Sequence, residues 1–326
     1  MKKFFSRITQ TIAIFAFMTM AGIASAQQTY PNKPIRFIVL FPPGGANNVL
    51  ARIVGQKLTE SWGQPVIVEN RPGGNTVIGS EHVAKSAPDG YTIMLMSVTH
   101  VINPSLFPTP YDAIRDFAPV ATISNTPLIL ALNPAVPANN LQEFIALAKS
   151  KPGQLNYATP GSGGINHIAA EVFTSMAGVK LQHIPYKGSA QAMTDVIGGQ
   201  VHLTFQGPIN VAPHIKSGKL RALGVSGESR LTALPQLPTF TEGGLPGYDV
   251  QIWYGVLAPA GTPRDIVNKL SGEIAKMLTL PDMKDNLLNQ GMAPLINNPD
   301  QFGALMKTDL ARFARIIKSA NIKFEE

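Results

Sequence analysis

The sequence predicts an α/β protein of two lobes around a ligand cleft. Apolar runs of strand length alternate with helical patterns, which implies βαβ units and mostly parallel sheets. The pattern restarts midway along the chain. At 326 residues the chain also exceeds the size, about 250–300 residues, at which single hydrophobic cores stop growing.

The elements follow in order. Ile35 to Phe41 is a buried-strand candidate closed by Pro42-Pro43-Gly44-Gly45, and a helix is expected from Asn48 to Glu60, with Val49, Leu50, Ile53, Val54 and Leu58 at helical spacing. Val66 to Glu69 reads as a strand, Val77 to Lys85 as a helix and Tyr91 to Met96 as a third strand. The second unit begins with a strand at Leu128 to Leu132, a helix at Leu141 to Ser150 and a strand at Leu155 to Ala158. The turn Thr159 to Gly164 then leads into a helix carrying Ile168, Val172, Phe173 and Met176. Three more strands are expected at His183–Pro185, His202–Gln206 and Leu220–Val225, with helices around Ala192 and His214. The Pro- and Gly-rich stretch from Leu234 to Gly247 reads as a linker or surface excursion. Val250 to Leu257 returns to strand character, and the C-terminal end shows amphipathic helices with a stripe of Phe302, Leu305, Leu310, Phe313 and Ile317. Crossings near residues 124 and 249 divide the chain into one lobe of 27–124 with 250–326 and a second of 125–249.

Composition narrows the function. Charged residues make up 14%, against about 25% in ordinary domains. The absence of Cys excludes a disulfide framework, a thiol nucleophile and cysteine metal sites. Lys2, Lys3 and Arg7, an apolar stretch from Ile8 to Ile23, and Ala24-Ser25-Ala26 read as a signal peptide at residues 1–26, cleaved after Ala26. Removing those three positive charges brings the formal +7 to +4, spread along the chain, which argues against nucleic acid as a partner. No further apolar run reaches the ~20 residues of a membrane span.

Catalytic motifs are incomplete. Gly224-Val225-Ser226-Gly227-Glu228 and Pro160-Gly161-Ser162-Gly163-Gly164 each miss one glycine of a nucleophile elbow, so a serine hydrolase is a remote alternative. The six histidines form no H-x-x-x-H zinc pair, and His167 with Glu171 reads as a polar pair on one helix. No metal and no cofactor are expected. What remains is strand, glycine-rich turn, helix, twice: Phe41 to Asn48 and Thr159 to Gly164. Such turns bring backbone N–H groups and the positive end of a helix to a small anion without Arg or Lys.

Blocks along the chain resemble the periplasmic solute receptors of tripartite tricarboxylate transporters, the Bug receptors. They are Tyr30 to Ile35 with Phe41 to Gly45, Glu69 to Gly74, Pro88 to Thr92, Ile184 to Gly188, Gly218 to Leu223 and Ala258 to Pro263. The resemblance implies a two-lobed fold like the type II periplasmic binding proteins. It also implies a non-enzymatic monomer that closes on an organic acid in the periplasm and delivers it to membrane subunits; a sensory receptor is the alternative. Carried over from the family, Phe41, Gly45, Ala46 and Asn47 of the first turn bind the ligand. Ser97, Thr99 and His100 after the third strand join them, with Thr159, Ser162 and Gly163 from the second lobe.

This chain departs from the family pattern at Asn48, His202 and Gln206, where the family usually has Asp. Gln206 is therefore added to the ligand-binding set as a hydrogen-bond donor to a second carboxylate. A dicarboxylate is the expected ligand. Phe41, Tyr186, Phe205 and Trp253 at the pocket edge would allow an aromatic one, such as a phthalate.

Overall fold

A computed structural model describes residues 30–319 and 322; the expected signal peptide lies outside the described residues. In chain order the first part contains β1 (Ile35–Val39), α1 (Ala46–Trp62), β2 (Val66–Asn70), α2 (Val77–Ala84), β3 (Thr92–Ser97), α3 (Thr99–Ile102) and β4 (Phe117–Pro127). The middle contains β5 (Ile129–Leu132), α4 (Leu141–Ser150), β6 (Asn156–Thr159), α5 (Ile165–Ala177), β7 (Gln182–Pro185), α6 (Ser189–Ile197), β8 (Leu203–Gln206), α7 (Pro208–Lys216) and β9 (Arg221–Val225). The last part contains β10 (Gln251–Pro259), α8 (Arg264–Thr279), α9 (Pro281–Asn289), β11 (Ala293–Pro294) and α10 (Pro299–Ser319).

Two sheets result. One has six strands in the order β11-β4-β10-β3-β1-β2, and the other has five in the order β7-β6-β8-β5-β9. In the first, β1 runs parallel to β2 and β3. Its residues Ile35, Phe37, Ile38 and Val39 are fully buried, the pattern of a strand covered on both faces. Helix α1 stops at Gly63, which adopts φ 66° and returns its N–H to the Thr59 carbonyl, a left-handed cap that a side chain would strain.

The chain passes from the first sheet to the second between Pro127 and Ile129 and returns between Val225 and Gln251. Ser226 ties the two passages together. Its Oγ accepts from the Leu128 N–H at 2.8 Å and donates to the Val250 carbonyl at 2.5 Å, while its own N–H donates to the Leu128 carbonyl at 2.9 Å. This serine of the near-miss elbow is thus spent on backbone at the crossings.

Two expectations change. Strand β4 was absent from the sequence pattern, because Phe117 to Pro127 mixes prolines with Thr, Ser and Asn; it forms by pairing with β10 along its whole length. The stretch Leu234 to Gly247 is no surface excursion. Leu234, Leu237, Phe240 and Leu245 are buried, and Phe240 packs 4.7 Å from Tyr248 and 6.0 Å from Phe173, ring to ring. Its turn-forming composition masked an apolar plug.

The C-terminal helices return to the first sheet, where α8 and α10 pack on β4. Phe302 of α10 is fully buried and stands edge-on to Trp253 of β10 at 5.6 Å. A Cβ at Gly255 would lie 2.3 Å from the Phe302 ring and 3.1 Å from the Ala121 carbonyl oxygen. Gly255→Ala should therefore destabilise the protein by about 1–3 kcal/mol, the usual cost of overpacking. A urea midpoint equal to that of the wild type would show that the ring has room to move.

Candidate functional site

The two sheets meet at an enclosed cavity. Four helices point their N-termini into it: α1 through Gly45, Ala46 and Asn47, α5 through Gly164, Ile165 and Asn166, α6 through Gly188 and Ser189, and α7 through Gly207 and Asn210. Each N-cap is a glycine, and none has a side-chain cap. A helix leaves its first N–H groups without intrahelical partners and carries about half a positive charge at that end. The Ile165 N–H reaches Thr99 Oγ1 at 3.4 Å, a bond between the two halves of the molecule. Among the described residues lining this cavity, none is Asp, Glu, Lys, Arg or His. The site is electropositive without a charged side chain.

Two polar atoms sharpen its chemistry. Gln206 ends β8 and is 1% exposed. Its Oε1 accepts from Asn210 Nδ2 at 3.1 Å, but its Nε2 has no hydrogen-bond partner among the described residues. Asn47 Oδ1 is likewise buried and unpaired. A buried polar group without a partner costs about 1–3 kcal/mol, so both atoms mark a place where a ligand completes the bonding: Gln206 Nε2 donates to a carboxylate, while Asn47 Oδ1, an acceptor, takes a ligand hydroxyl or a water. The enclosed space for water centres is about 50 Å³, against about 10–15 Å³ for one water. That suits a single carboxylate, so Gln206 and the first glycine turn share one small cavity rather than facing each other across a long one.

Of the eleven residues expected at the site, the structure brings Phe41, Gly45, Ala46, Asn47, Ser97, Thr99 and Gln206 to this cavity. Ser162 lines a neighbouring groove instead. His100 is fully buried in the core, stacked on Tyr111 at 5.5 Å and bonded through Nε2 to the Ala113 carbonyl at 3.0 Å. Burial lowers its pKa to about 4. The reason is helical geometry: Thr99 and His100 are consecutive in α3 and diverge by about 100°, so one faces the cavity and the other the core.

Thr159 and Gly163 lie beneath the second turn. Thr159 Oγ1 bonds the Gly161 carbonyl and His183 Nε2, both at 2.7 Å, and the Gly163 N–H donates to His167 Nδ1 at 3.0 Å. His167 and His183 stack with centroids 4.0 Å apart. Burial lowers the pKa of His167 to about 4, and burial together with its neighbour lowers that of His183 to about 3. Two neutral imidazoles thus prop the turn.

The departures from Asp have different settings. Asn48 is not the cap of α1: its side chain donates to Asn70 Oδ1 at 2.9 Å and accepts from Arg52 Nε at 3.1 Å. His202 precedes β8, at the other end of the strand from Gln206, and pairs with Asn156. Of the expected aromatic residues only Phe41 lines the cavity. Phe205 and Trp253 are core residues, Trp253 donating to Asp309 at 2.6 Å, and Tyr186 lines the outer groove with its hydroxyl on Asp195.

Sequence reasoning missed Asn75, Asn166, Ser189, Asn210 and Tyr254. For Ser189 and Asn210 the signal was present, since Gly188 and Gly207 precede their helices just as Gly45 precedes α1. Asn75 gave none. Among the described residues no helix is long and apolar enough to cross a membrane.

Comparison with known proteins agrees with this architecture. Residues 50–322 match the tripartite tricarboxylate transporter family receptor. The chain is 36% identical to the protein BugT of Bordetella pertussis over 324 residues, covering 98% of this chain and 99% of BugT. The solved structure of R. palustris Rpa4515 with adipate superposes with a TM-score of 0.88 at 32% identity, over 90% of this chain and 99% of that one. MatC of Rhodopseudomonas palustris with bound malate gives 0.82 at 28% identity, over 88% and 100%. The match along most of the chain and the shared two-sheet architecture together establish that the protein belongs to the tripartite tricarboxylate transporter receptor family.

Proposed function

We propose that this protein is a periplasmic receptor for an aliphatic dicarboxylate, which it delivers to the membrane subunits of a tripartite tricarboxylate-type transporter. The observation that carries the reading is the convergence of four uncapped helix N-termini and the free Gln206 amide on one charge-free cavity. Backbone N–H groups and helix dipoles hold an anion there. The adipate and malate complexes of relatives support a dicarboxylate. The core positions of Phe205 and Trp253 favour an aliphatic ligand over a phthalate. The lobes divide at the crossings around 127–129 and 226–250, and closure of one on the other encloses the ligand.

The same cavity discriminates against amino acids. No carboxylate side chain among the described lining residues can receive an α-ammonium group, and a buried unpaired charge is costly. Malate and aspartate differ by a hydroxyl against an ammonium at one carbon. Calorimetry should detect malate and find aspartate at least tenfold weaker, a difference of about 1.4 kcal/mol. Equal binding of the two would sink the reading of the cavity, as would no heat from any carboxylate.

A further inference from the structure

Phe41, Pro42, Asn75, Pro160 and Gly161 line both the inner cavity and a second, more open groove of about 860 Å³. The groove's own walls are apolar, from Leu40, Pro72, Val77, Phe107 and Pro108. Lys187 is the one charged group among the described residues that line it. It is exposed, and no ion pair or hydrogen bond engages it among those residues. Tyr186 beside it is already committed to Asp195 at 2.6 Å.

The turn that carries Asn75 into the shared wall is strained. Gly73, Gly74, Asn75 and Thr76 have φ of 130°, 53°, 48° and 79° in succession. Thr76 is β-branched and Asn75 also has a side chain, so both are held in a region that L side chains rarely adopt. Asn103, fully buried, holds them there: its Nδ2 donates to the Asn75 carbonyl at 2.7 Å and to Thr76 Oγ1 at 3.0 Å, while its Oδ1 accepts from Asn75 Nδ2 at 2.9 Å. The strained turn brings Asn75 against the second glycine turn, where a Cβ at Gly161 would lie 3.8 Å from Asn75 Oδ1. Strain of this kind persists where the surroundings enforce it, and here it shapes the passage between cavity and groove.

We infer that the outer groove is the second half of the ligand site, taking the apolar body of a long α,ω-dicarboxylate whose distal carboxylate meets Lys187. The inference rests on the inner cavity holding the proximal carboxylate. An apolar wall of this size, continuous with an enclosed anion site, gains from each methylene it covers. A single unpaired cation gives the far end a partner that a fatty monocarboxylate would leave unused.

The test is calorimetry with succinate, adipate and suberate, and with octanoate as the monocarboxylate of matched length. Affinity should climb along the dicarboxylate series by up to about fourfold per buried methylene. Lys187→Met should weaken suberate about fivefold, the upper range for an exposed ion pair. It should leave succinate and octanoate unchanged, and Lys187→Arg should restore suberate. Affinity that is flat from succinate to suberate overturns the inference while leaving the inner cavity's role intact, and hands the groove to a protein partner. Equal loss for suberate and octanoate in Lys187→Met overturns the charge reading. Failure of every carboxylate to bind overturns the cavity's role along with it.

Discussion

Gln206→Glu is expected to cost every carboxylate ligand about a hundredfold in affinity at neutral pH. The replacement keeps the side chain's shape and turns its unpaired, 1%-exposed amide nitrogen into a carboxylate oxygen. Two like charges about 5 Å apart at an effective dielectric of ~20 repel by roughly 3 kcal/mol, and the amide's donated hydrogen bond is lost as well. The four helix N-termini offset part of this by stabilising the new anion, which then competes with the ligand for the same N–H groups. Because the cavity has room for one carboxylate, mono- and dicarboxylates should lose alike, unlike the length-selective effect expected at Lys187. Gln206→Ala should lose less, since it removes the donor without adding charge. Calorimetry on all three proteins decides the matter. A glutamate variant that binds as the wild type does would place the residue outside the ligand's reach.

The second large effect is on stability in mild acid. His100 and His167 have pKa values near 4 in the folded protein because burial disfavours the imidazolium, against about 6.5 in an unfolded chain. Between about pH 6.5 and 4 the unfolded state therefore binds more protons, and stability must fall as pH falls. Each of these histidines removes about 2 kcal/mol by pH 5, and His183, lowered to about 3 by burial and by His167, removes a similar amount, together about 6 kcal/mol against the 5–15 kcal/mol typical of a folded domain. The salt-bridged carboxylates Glu69 and Asp112, whose pKa values are lowered by Arg36 and by backbone N–H groups respectively, lose their contribution only as pH falls below about 4.5, under the pH 5 of the comparison. Urea denaturation at pH 7.5 and pH 5 should show the loss, and His167→Gln should recover about a third of it. Identical unfolding free energies at the two pH values would mean that these histidines titrate normally. Protonation of folded His167 would also remove the acceptor of the Gly163 N–H, so the second glycine turn should loosen as pH falls through about 4.

Much of the fold was legible because it is written in local pattern. The apolar run at Ile35 to Phe41, broken only by Arg36, has strand length and ends in a Pro-Gly turn, which reads as a buried strand, and the alternation of such runs with 3.6-residue patterns specifies βαβ units. The glycine turns before α1 and α5 were legible for the same reason: a helix start without a capping side chain is visible in sequence. Strand β4 was not, since nothing within Phe117 to Pro127 marks it, and its partner β10 lies about 130 residues further on. The plug at Leu234 to Leu245 was hidden by prolines and glycines that read as surface.

The sequence by itself determined a cysteine-free α/β chain with strand–glycine–helix turns suited to an anion, and the blocks that resemble the receptor family. Tertiary structure alone decided that four such turns, not two, converge on one cavity, since which helix ends meet depends on strand order and on the packing of the two sheets. It also decided the direction of each side chain. Thr99 and His100 are adjacent in sequence and reach opposite environments because successive residues of a helix turn by about 100°. Asn75 enters the site only because buried Asn103 holds a left-handed turn that no local propensity favours.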